Sequence, residues 1–399
     1  MRRVEGLESR VEGKKRMVAM RTYSGTQHST SGPRPSTLDP RPHRRGLTLI
    51  ELLIVITIIS MLTALVIGVA TVAGETSREQ HTKHVVERVH TLLMDYYGTL
   101  KTRRVRLNPA VEAAIDNSSD PQLNTAAKKG KAKAEARLYA LRELMLMEVP
   151  DRWSDVLLNA VPTSLGGVGD ARRPIYLDPS SLSANGRTDL GEAFLRRYAA
   201  IATSSNPTSD VLTDNQGAEC LYMIIMMATG DGEARTIFGE SSIGDVDGDG
   251  APEFVDGWGH PINFLRWAPG FESQIQLDAN YLGGGVADPN TNAAWVKAAN
   301  GDHDSFDMFR LDQLAFRLVP LIFSGGRDET FGVRLVKPYV AWQGVANPTS
   351  VTKSQMIALT PYKKVTDTSD ATDVPAFLGT PNSDRTATDN VHNHLLGKR

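Results

Sequence analysis

The feature that most constrains this chain is an apolar run near its N-terminus, which spans residues 47–73. A helix of about 20 residues crosses the hydrocarbon core of a bilayer, so this run is long enough to span a membrane. It is preceded directly by Arg44-Arg45-Gly46, and Glu51 is its only charged residue. Because a charged side chain at the centre of a bilayer costs about 2.5 to 3.5 kcal/mol, Glu51 is expected to have a function beyond anchoring.

The segment Arg44-Arg45-Gly46-Leu47-Thr48-Leu49-Ile50-Glu51 resembles the cleavage and methylation signal of type IV prepilins and of the pseudopilins of type II secretion. The resemblance implies that a prepilin peptidase cuts after Gly46 and that Leu47 becomes the methylated first residue. It also implies that Glu51 pairs with the amino terminus of a neighbouring subunit, which replaces lost hydration with an ion pair. Leu47 stands where the family usually has Phe. The alternative is an ordinary signal anchor that contains one Glu.

The net charge of the chain changes sign at Gly46. Residues 1–46 hold 11 Lys and Arg against 4 Asp and Glu, whereas the rest of the chain has a net charge of −9. A basic segment before an apolar helix predicts that the N-terminus stays in the cytoplasm and that the acidic bulk of the chain lies on the far side of the membrane. The resemblance implies a single pass through a bacterial inner membrane, with the head in the periplasm. We expect residues 1–46 to be a leader peptide without a fold of its own, with Met17 or Met20 as alternative start positions.

The helix is expected to continue beyond the membrane segment, over residues 74–105. These residues are more polar, but apolar side chains recur at the intervals that are typical of one face of an amphipathic helix: Val85, Val89, Leu92 and Tyr96. The pattern predicts one long helix whose second part packs on a head domain. Two helices hinged at Gly74 are the alternative, because one glycine weakens a helix by only about 1 kcal/mol.

Residues 106–215 are predicted to be an insertion of helices and loops. Its basic stretch, Lys128-Lys129-Gly130-Lys131, has no interleaved aromatic residues, so it indicates a solvated surface rather than a nucleic-acid site. An amphipathic helix around residues 138–145 is expected to end before Pro150, because the residue before a proline is disfavoured in a helix. Residues 160–190 are rich in Gly, Pro and Ser and are expected to be a loop.

Residues 216–342 are predicted to form the head. Residues 218–229 are apolar on nearly all sides but too short to cross a membrane, so they are expected to be a core helix that buries Cys220, the single cysteine. Three runs separated by Gly-rich turns are predicted as strands of an antiparallel sheet: residues 262–267, 316–323 and 331–335.

The last part of the chain, residues 343–399, is polar and is expected to be extended or partly disordered. The predicted fold class is therefore α+β, with a long N-terminal transmembrane and amphipathic helix packed on a small antiparallel sheet. Additional helices complete this pilin-like architecture.

The sharpest local motif is Asp245-Val246-Asp247-Gly248-Asp249-Gly250, with Asp256 at the twelfth position. Asp245, Asp247 and Asp249 occupy the ligand positions 1, 3 and 5 of an EF-hand calcium loop, and Gly250 occupies the glycine position 6 at the turn. Asp256 replaces the usual Glu, and no pair of flanking helices is predicted. We therefore expect a free calcium loop formed by Asp245, Asp247, Asp249 and Asp256. An acidic surface turn without an ion is the alternative.

The following residues, Asp256-Gly257-Trp258-Gly259-His260-Pro261, resemble a signature in the head of the major pseudopilin of type II secretion, where it enters the sheet. In that family a Ser-x-Gly-x-Asp-Gly segment follows later, near a calcium site. Here Ser324-Gly325-Gly326-Arg327-Asp328 is similar to it, with Glu329 in place of the last glycine. The resemblance implies Ser324 and Asp328 as further calcium ligands; turn chemistry is the alternative.

The sequence as a whole predicts a non-enzymatic pilin or pseudopilin subunit. The resemblance implies three kinds of partner: the prepilin peptidase, other pilin or pseudopilin subunits, and an inner-membrane assembly platform. A minor pilin whose enlarged head binds a ligand or secreted substrate is the second hypothesis. A membrane-tethered enzyme is the third, although the sequence contains no recognised nucleophile, phosphate-binding or catalytic metal motif.

Overall fold

The computed structural model describes residues 48–157, 174–184, 186–204, 215–228, 233–277, 293–335, 361–362, 377–381 and 390–395. The leader, Gly46 and Leu47 lie outside the described residues, as does most of the C-terminal tail. The chain divides into two compact units, Met1–Thr63 and Ala64–Arg399. The described residues have the α+β architecture that the sequence predicts, with one long N-terminal helix, shorter helices and small antiparallel sheets.

Helix α1, Leu49–Thr102, begins in the first unit. Its large apolar side chains from Leu49 to Val72 are exposed around the whole circumference. The few hydroxyl groups in this part donate to backbone carbonyls of the preceding turn, as Ser60 Oγ does to Ile56 O at 2.7 Å. Such internal bonds leave few polar groups without a partner, which is the condition for a helix in hydrocarbon.

In the second unit α1 continues without a break through Gly74, so the hinge alternative is wrong for the described helix. One face of α1 is buried from Thr82 onward, with Val85, Val86, Val89, Leu93, Tyr97 and Leu100 in the core. The predicted positions Leu92 and Tyr96 lie at the edge of this face and are half-buried. The amphipathic period therefore identifies the helix and two of its buried positions, Val85 and Val89, whereas Leu93 and Tyr97 are buried in place of Leu92 and Tyr96.

Seven shorter helices follow α1 among the described residues. They are α2 Pro109–Asp116, α3 Ala126–Glu148, α4 Trp153–Val156, α5 Asp189–Ser204, α6 Gln216–Ala228, α7 Glu233–Ile237 and α8 Ala293–Gly301. Helix α3 ends two residues before Pro150, and α6 coincides with the predicted core helix and buries Cys220.

Helix α2 was not predicted from sequence. Asn108 caps it, since Asn108 Oδ1 accepts a hydrogen bond from Ala110 N at 2.9 Å, and Pro109 occupies the first turn. Two apolar side chains of α2, Val111 and Ile115, are buried in the core. This part of the insertion is therefore not the purely solvated segment that its composition indicates, because two apolar residues are enough to dock an eight-residue helix.

The buried Glu143 holds the segment after α4 against α3. Its two carboxylate oxygens accept hydrogen bonds from Ile175 N, Tyr176 N and Leu177 N at 2.9, 2.9 and 3.0 Å. Burial raises the pKa of Glu143 to about 8, although the three N–H donors favour its ionised form. Glu143 of α3 thus fixes residues 175–177, which belong to the predicted loop 160–190.

The strands form two antiparallel sheets. A hairpin joins β1 Ile243–Gly244 to β2 Glu253–Phe254. The larger sheet has the order β3-β4-β5, with β3 Ile262–Leu265, β4 Leu321–Ser324 and β5 Val391–His392. Ile262 lies opposite Ser324, and Phe323 lies opposite His392.

Two of the strand predictions need correction. The third strand is β5 from the C-terminal tail, whereas residues 331–335 form only an isolated bridge between Val333 and Pro381. Phe316 lies before β4 and pairs instead with His303 in an isolated bridge. Asn393 fixes the tail beside the sheet, since its Oδ1 accepts Ile322 N at 2.9 Å and its Nδ2 donates to Pro320 O at 2.8 Å. These side-chain bonds position a tail whose composition gives no strand signal.

The close contact between α6 and β3 requires glycine at position 217. A Cβ atom on Gly217 would lie 2.9 Å from Phe264 O and would overlap the side chain of Asn263. Cys220, Leu221 and Ile224 of α6 are fully buried in the same core as the second half of α1. The helix α6 is therefore the central packing element of the head.

Burial of His394 predicts a loss of stability in acid. Burial, with smaller contributions from His392 and His90, lowers the pKa of His394 to about 4. The unfolded His394 takes up a proton near pH 6.5, so stability is complete above about pH 6.5 and decreases as the pH falls toward 4. Between pH 7 and pH 5 we expect this residue to cost on the order of 1–2 kcal/mol, measured as a decrease in the thermal midpoint that is smaller in His394→Gln.

The matched control is His84→Gln, because His84 is exposed on α1. Other buried groups titrate over the same range, so the difference between the chains is the result that counts. Equal decreases in wild type, His394→Gln and His84→Gln would contradict the prediction.

Candidate functional site

The described part of the N-terminal segment contains a capping box. Thr48 N and Thr48 Oγ1 donate hydrogen bonds to Glu51 Oε2 at 2.9 and 3.0 Å, and Glu51 N donates to Thr48 Oγ1 at 3.3 Å. These reciprocal bonds satisfy amide groups that a helix N-terminus otherwise leaves free. In the single chain, Glu51 is therefore bound by its own helix, and its carboxylate is exposed.

The N-terminal part of α1 has the properties of a membrane anchor. Among the described helices, α1 alone is long and apolar enough to cross a membrane. None of the residues in its most apolar stretch is buried within the chain. An exposed apolar surface of this kind needs either lipid or other apolar helices around it.

The signature around Trp258 lies against the second half of α1. Gly257 N donates to Thr82 Oγ1 at 2.9 Å, and Trp258 Nε1 donates to Glu75 at 3.0 Å. A side chain at Gly257 would overlap the backbone of Arg78, so this contact requires glycine. The segment therefore joins the head to α1 on the way into β3.

Asp256 shapes the turn of this signature and does not belong to the acidic cluster described below. Its Oδ1 accepts hydrogen bonds from Trp258 N at 2.8 Å and His260 N at 3.0 Å, and its Oδ2 accepts one from Ser324 Oγ at 2.6 Å. Asp328 is exposed, and its Oδ1 accepts Thr330 N at 2.9 Å. The structure thus joins the predicted ligands Asp256 and Ser324 to each other and gives Asp328 a local turn bond.

The other predicted ligands, Asp245, Asp247 and Asp249, do lie together. Each offers a carboxylate oxygen, and the three oxygens lie within 4.8 Å of one another. The loop that carries them connects β1 to β2 and turns at Gly248 and Gly250, whose φ values of 77° and 91° favour glycine.

Two buried glutamates join this cluster. Glu219 of α6 and Glu253 of β2 each offer an oxygen within 4.8 Å of Asp247 and of each other. Glu219 also accepts a hydrogen bond from Trp153 Nε1, and Glu253 Oε2 accepts one from Val246 N at 3.1 Å. Asn215 Nδ2 donates to Asp247 Oδ2 at 3.1 Å from the start of α6.

The electrostatics of the acidic cluster are unfavourable for ionised carboxylates. Burial, and then the neighbouring Asp249, raise the pKa of Glu219 to about 10. Burial, with a smaller contribution from the aspartates of the loop, raises the pKa of Glu253 to about 8, although the hydrogen bond from Val246 N opposes this. Burial also raises the pKa values of Asp247 and Asp249 above their ordinary value. The groups therefore repel one another in the folded chain.

Sequence reasoning missed Glu219 as a member of this cluster. Glu219 is the single charged residue in the apolar helix α6, and an isolated carboxylate in a core helix requires a partner. The sequence therefore indicates that Glu219 needs a partner, but it does not identify that partner. The loop of residues 245–250 lies about 30 residues later, and only the packing of α6 on the sheets brings it close to Glu219.

One comparison with known proteins identifies the N-terminal segment. Residues 41–67 match the family model of the prokaryotic N-terminal methylation motif. No curated protein and no solved structure matches the chain at a significant level. The match and the long apolar helix support the resemblance of this N-terminal segment to that of type IV pilin-like prepilins. The motif in general implies processing by a prepilin peptidase and assembly with other pilin subunits.

Proposed function

We propose that the chain is a structural subunit of a type II secretion or type IV pilus-like filament. In this proposal the peptidase removes residues 1–46, Leu47 is methylated, and α1 anchors the subunit in the inner membrane before assembly. The head faces the periplasm, and Glu51 aligns each subunit with the amino terminus of a neighbour. The mature chain then contributes its apolar helix to the filament core.

The observation that carries this proposal is the two-part character of α1. Its N-terminal part exposes apolar side chains on all sides, and its C-terminal part buries one face in the head without a break in the helix. An apolar surface on all sides of a helix suits packing against the apolar helices of other subunits in a filament core. The methylation motif supports the same proposal at the point where the helix begins.

The experiment that tests it is the intact mass and N-terminal sequence of the protein from its native membranes. We expect a chain that starts with methylated Leu47. The Gly46→Val variant is expected to keep its leader and its unmodified amino terminus, because a branched side chain beside the scissile bond prevents the peptide from fitting the peptidase.

The matched control is Gly74→Val, since Gly74 lies within α1 and a Cβ atom added to it would meet no neighbouring group within 4 Å. This variant is expected to be processed like the wild type. A wild-type chain that retains residues before Gly46 would reduce α1 to a signal anchor and overturn the filament proposal.

A further inference from the structure

Two carboxylate oxygens in the acidic cluster are buried without a hydrogen-bond partner among the described residues. They are Glu219 Oε1 and Glu253 Oε1. The side chains that carry them are almost completely inaccessible, with residue exposures of 2% and 0%. An ionised carboxylate in such a place costs several kcal/mol unless a cation is paired with it.

Basic side chains do not supply that cation. Within the described ranges, no salt bridge of an Arg, Lys or His side chain involves Glu219, Asp247 or Glu253. By contrast, the buried aspartates Asp151 and Asp155 are each paired with arginine. The buried carboxyl groups Glu219 and Glu253 therefore have no basic partner among the described residues.

The geometry suits a hard divalent ion. Oxygens that bind one Ca²⁺ at 2.3 to 2.6 Å lie within about 5 Å of one another, which is the spacing of both carboxylate groups in the cluster. Asp247 belongs to both groups, so the two groups of carboxylates adjoin at this residue. Ca²⁺ accepts six to eight oxygen ligands, whereas Mg²⁺ keeps several waters and binds few protein carboxylates.

The loop is already shaped for such a ligand set. Asp245 Oδ2 accepts Gly250 N at 3.1 Å, and Asp249 Oδ1 accepts Ala251 N at 2.6 Å. These bonds orient the aspartates across the turn, while Glu219 approaches from α6 and Glu253 from β2. The loop, α6 and β2 thus contribute carboxylates to two groups that share Asp247.

We propose that Glu219, Asp245, Asp247, Asp249 and Glu253 form a Ca²⁺ site that ties α6 to the β1–β2 hairpin. The site differs from the twelve-residue loop expected from sequence, because Glu219 and Glu253 replace Asp256 as the ligands that close it. Since α6 is central to the core, binding at this site stabilises the head directly. The proposal does not depend on whether the chain is processed or assembled.

The test is a Ca²⁺ titration of the full chain in detergent after treatment with EGTA and removal of the chelator. We expect saturable binding of one Ca²⁺ and a rise in the thermal midpoint of about 5 °C or more at saturation. Trp153 is an internal reporter, because its indole N–H donates to Glu219. Its fluorescence is expected to change along the same binding curve.

The variant Glu219→Gln keeps the shape of the side chain and an acceptor for Trp153 but removes one charge. We expect it to weaken Ca²⁺ binding at least tenfold, while its thermal midpoint without Ca²⁺ stays equal to or above that of the wild type, because repulsion is relieved. Asp247→Asn, at an exposed position, is the second variant and is expected to weaken binding similarly. A purely structural role of Glu219 would lower the midpoint without Ca²⁺ instead.

Asp328→Asn is the matched control, since Asp328 is an exposed aspartate outside the cluster. It is expected to bind Ca²⁺ like the wild type. The proposal is overturned if the wild type binds no Ca²⁺, if Asp328→Asn abolishes binding while Glu219→Gln and Asp247→Asn do not, or if Mg²⁺ gives a shift of equal size.

Discussion

Replacing Glu51 with Gln is expected to reduce incorporation of the chain into filaments by about 100-fold or more. In the proposed filament, Glu51 pairs with the amino terminus of a neighbour inside an apolar helix bundle. Removing one partner of a buried ion pair costs about 3 to 5 kcal/mol, because the other charge stays buried alone. Since about 1.4 kcal/mol corresponds to a factor of ten, this loss decides whether subunits assemble.

The same substitution is expected to leave the earlier steps intact. Insertion becomes more favourable, because an uncharged side chain is cheaper to place in hydrocarbon. Processing after Gly46 is expected to continue, so the variant accumulates in the membrane as a mature chain. Glu51→Gln is therefore expected to favour membrane insertion and to impair assembly if the chain is a filament subunit. If the chain is a plain anchor, the substitution is expected to impair nothing.

The measurement is the ratio of chain in sheared filaments to chain in membranes, with intact mass to establish the N-terminus. Glu87→Gln is the matched control, because Glu87 is exposed on the second half of the same helix. It is expected to assemble normally. Wild-type incorporation of Glu51→Gln would show that the carboxylate has no function in assembly and that its bonds with Thr48 are its whole role.

The elements that sequence predicts in this chain are those with a local signal. The apolar run, the basic flank and Glu51 all lie within about 30 residues, so composition and spacing identify the start of α1 without knowledge of the rest. Helix α6 can also be predicted locally, because a short apolar segment bounded by polar residues indicates a buried helix. The amphipathic part of α1 is identified by period, and Val85 and Val89 are buried as predicted, although Leu93 and Tyr97 replace Leu92 and Tyr96 in the core.

The parts that sequence reasoning misses depend on distant partners. Strand β5 has a polar composition and gains its place from Asn393, which bonds to backbone groups about 70 residues earlier. The acidic cluster combines a loop with Glu219 of an earlier helix, and the loop motif alone pointed to Asp256 instead. Asp256 has the right spacing from Asp245, but local turn geometry and Ser324 occupy its oxygens.

The largest effect on the stability of the head is expected at Arg266, which sequence reasoning did not single out. Arg266 follows β3 and is 2% exposed. Its Nη1 donates to Val149 O at 2.5 Å and to Asp155 Oδ2 at 2.9 Å, and its Nη2 lies 3.5 Å from Asp151 Oδ1. The guanidinium also lies 4.6 Å from the ring centre of Trp267. One side chain thus fastens the end of α3 and the helix α4 to the sheet.

The charges around Arg266 balance as a group. Arg152 Nε donates to Asp151 Oδ1 at 2.8 Å, so two arginines and two aspartates are buried together. Burial favours the neutral acid, but Arg152 and Arg266 outweigh it and hold the pKa of Asp151 below its ordinary value. Loss of one arginine therefore leaves two aspartates with a single positive partner in the interior.

We expect Arg266→Met to destabilise the head by about 3 to 5 kcal/mol, which is the usual cost of an uncompensated buried charge. Denaturant unfolding of the full chain in detergent, followed by tryptophan fluorescence, measures this effect, since Trp267 adjoins the site. The matched control is Arg137→Met, which breaks a pair with Glu112 whose side chains are 54% and 36% exposed. Exposed pairs contribute about 0 to 1 kcal/mol, so this control is expected to unfold almost like the wild type.

The double variant Arg266→Met with Asp155→Asn separates the charge effect from lost packing. It removes one charge of each sign, so Asp151 and Arg152 remain as a balanced pair. If uncompensated charge causes the loss, the double variant is more stable than Arg266→Met alone, even though it lacks one more polar interaction. A double variant that is less stable by the sum of both single losses would instead show that Arg266 acts through its hydrogen bonds and its contact with Trp267.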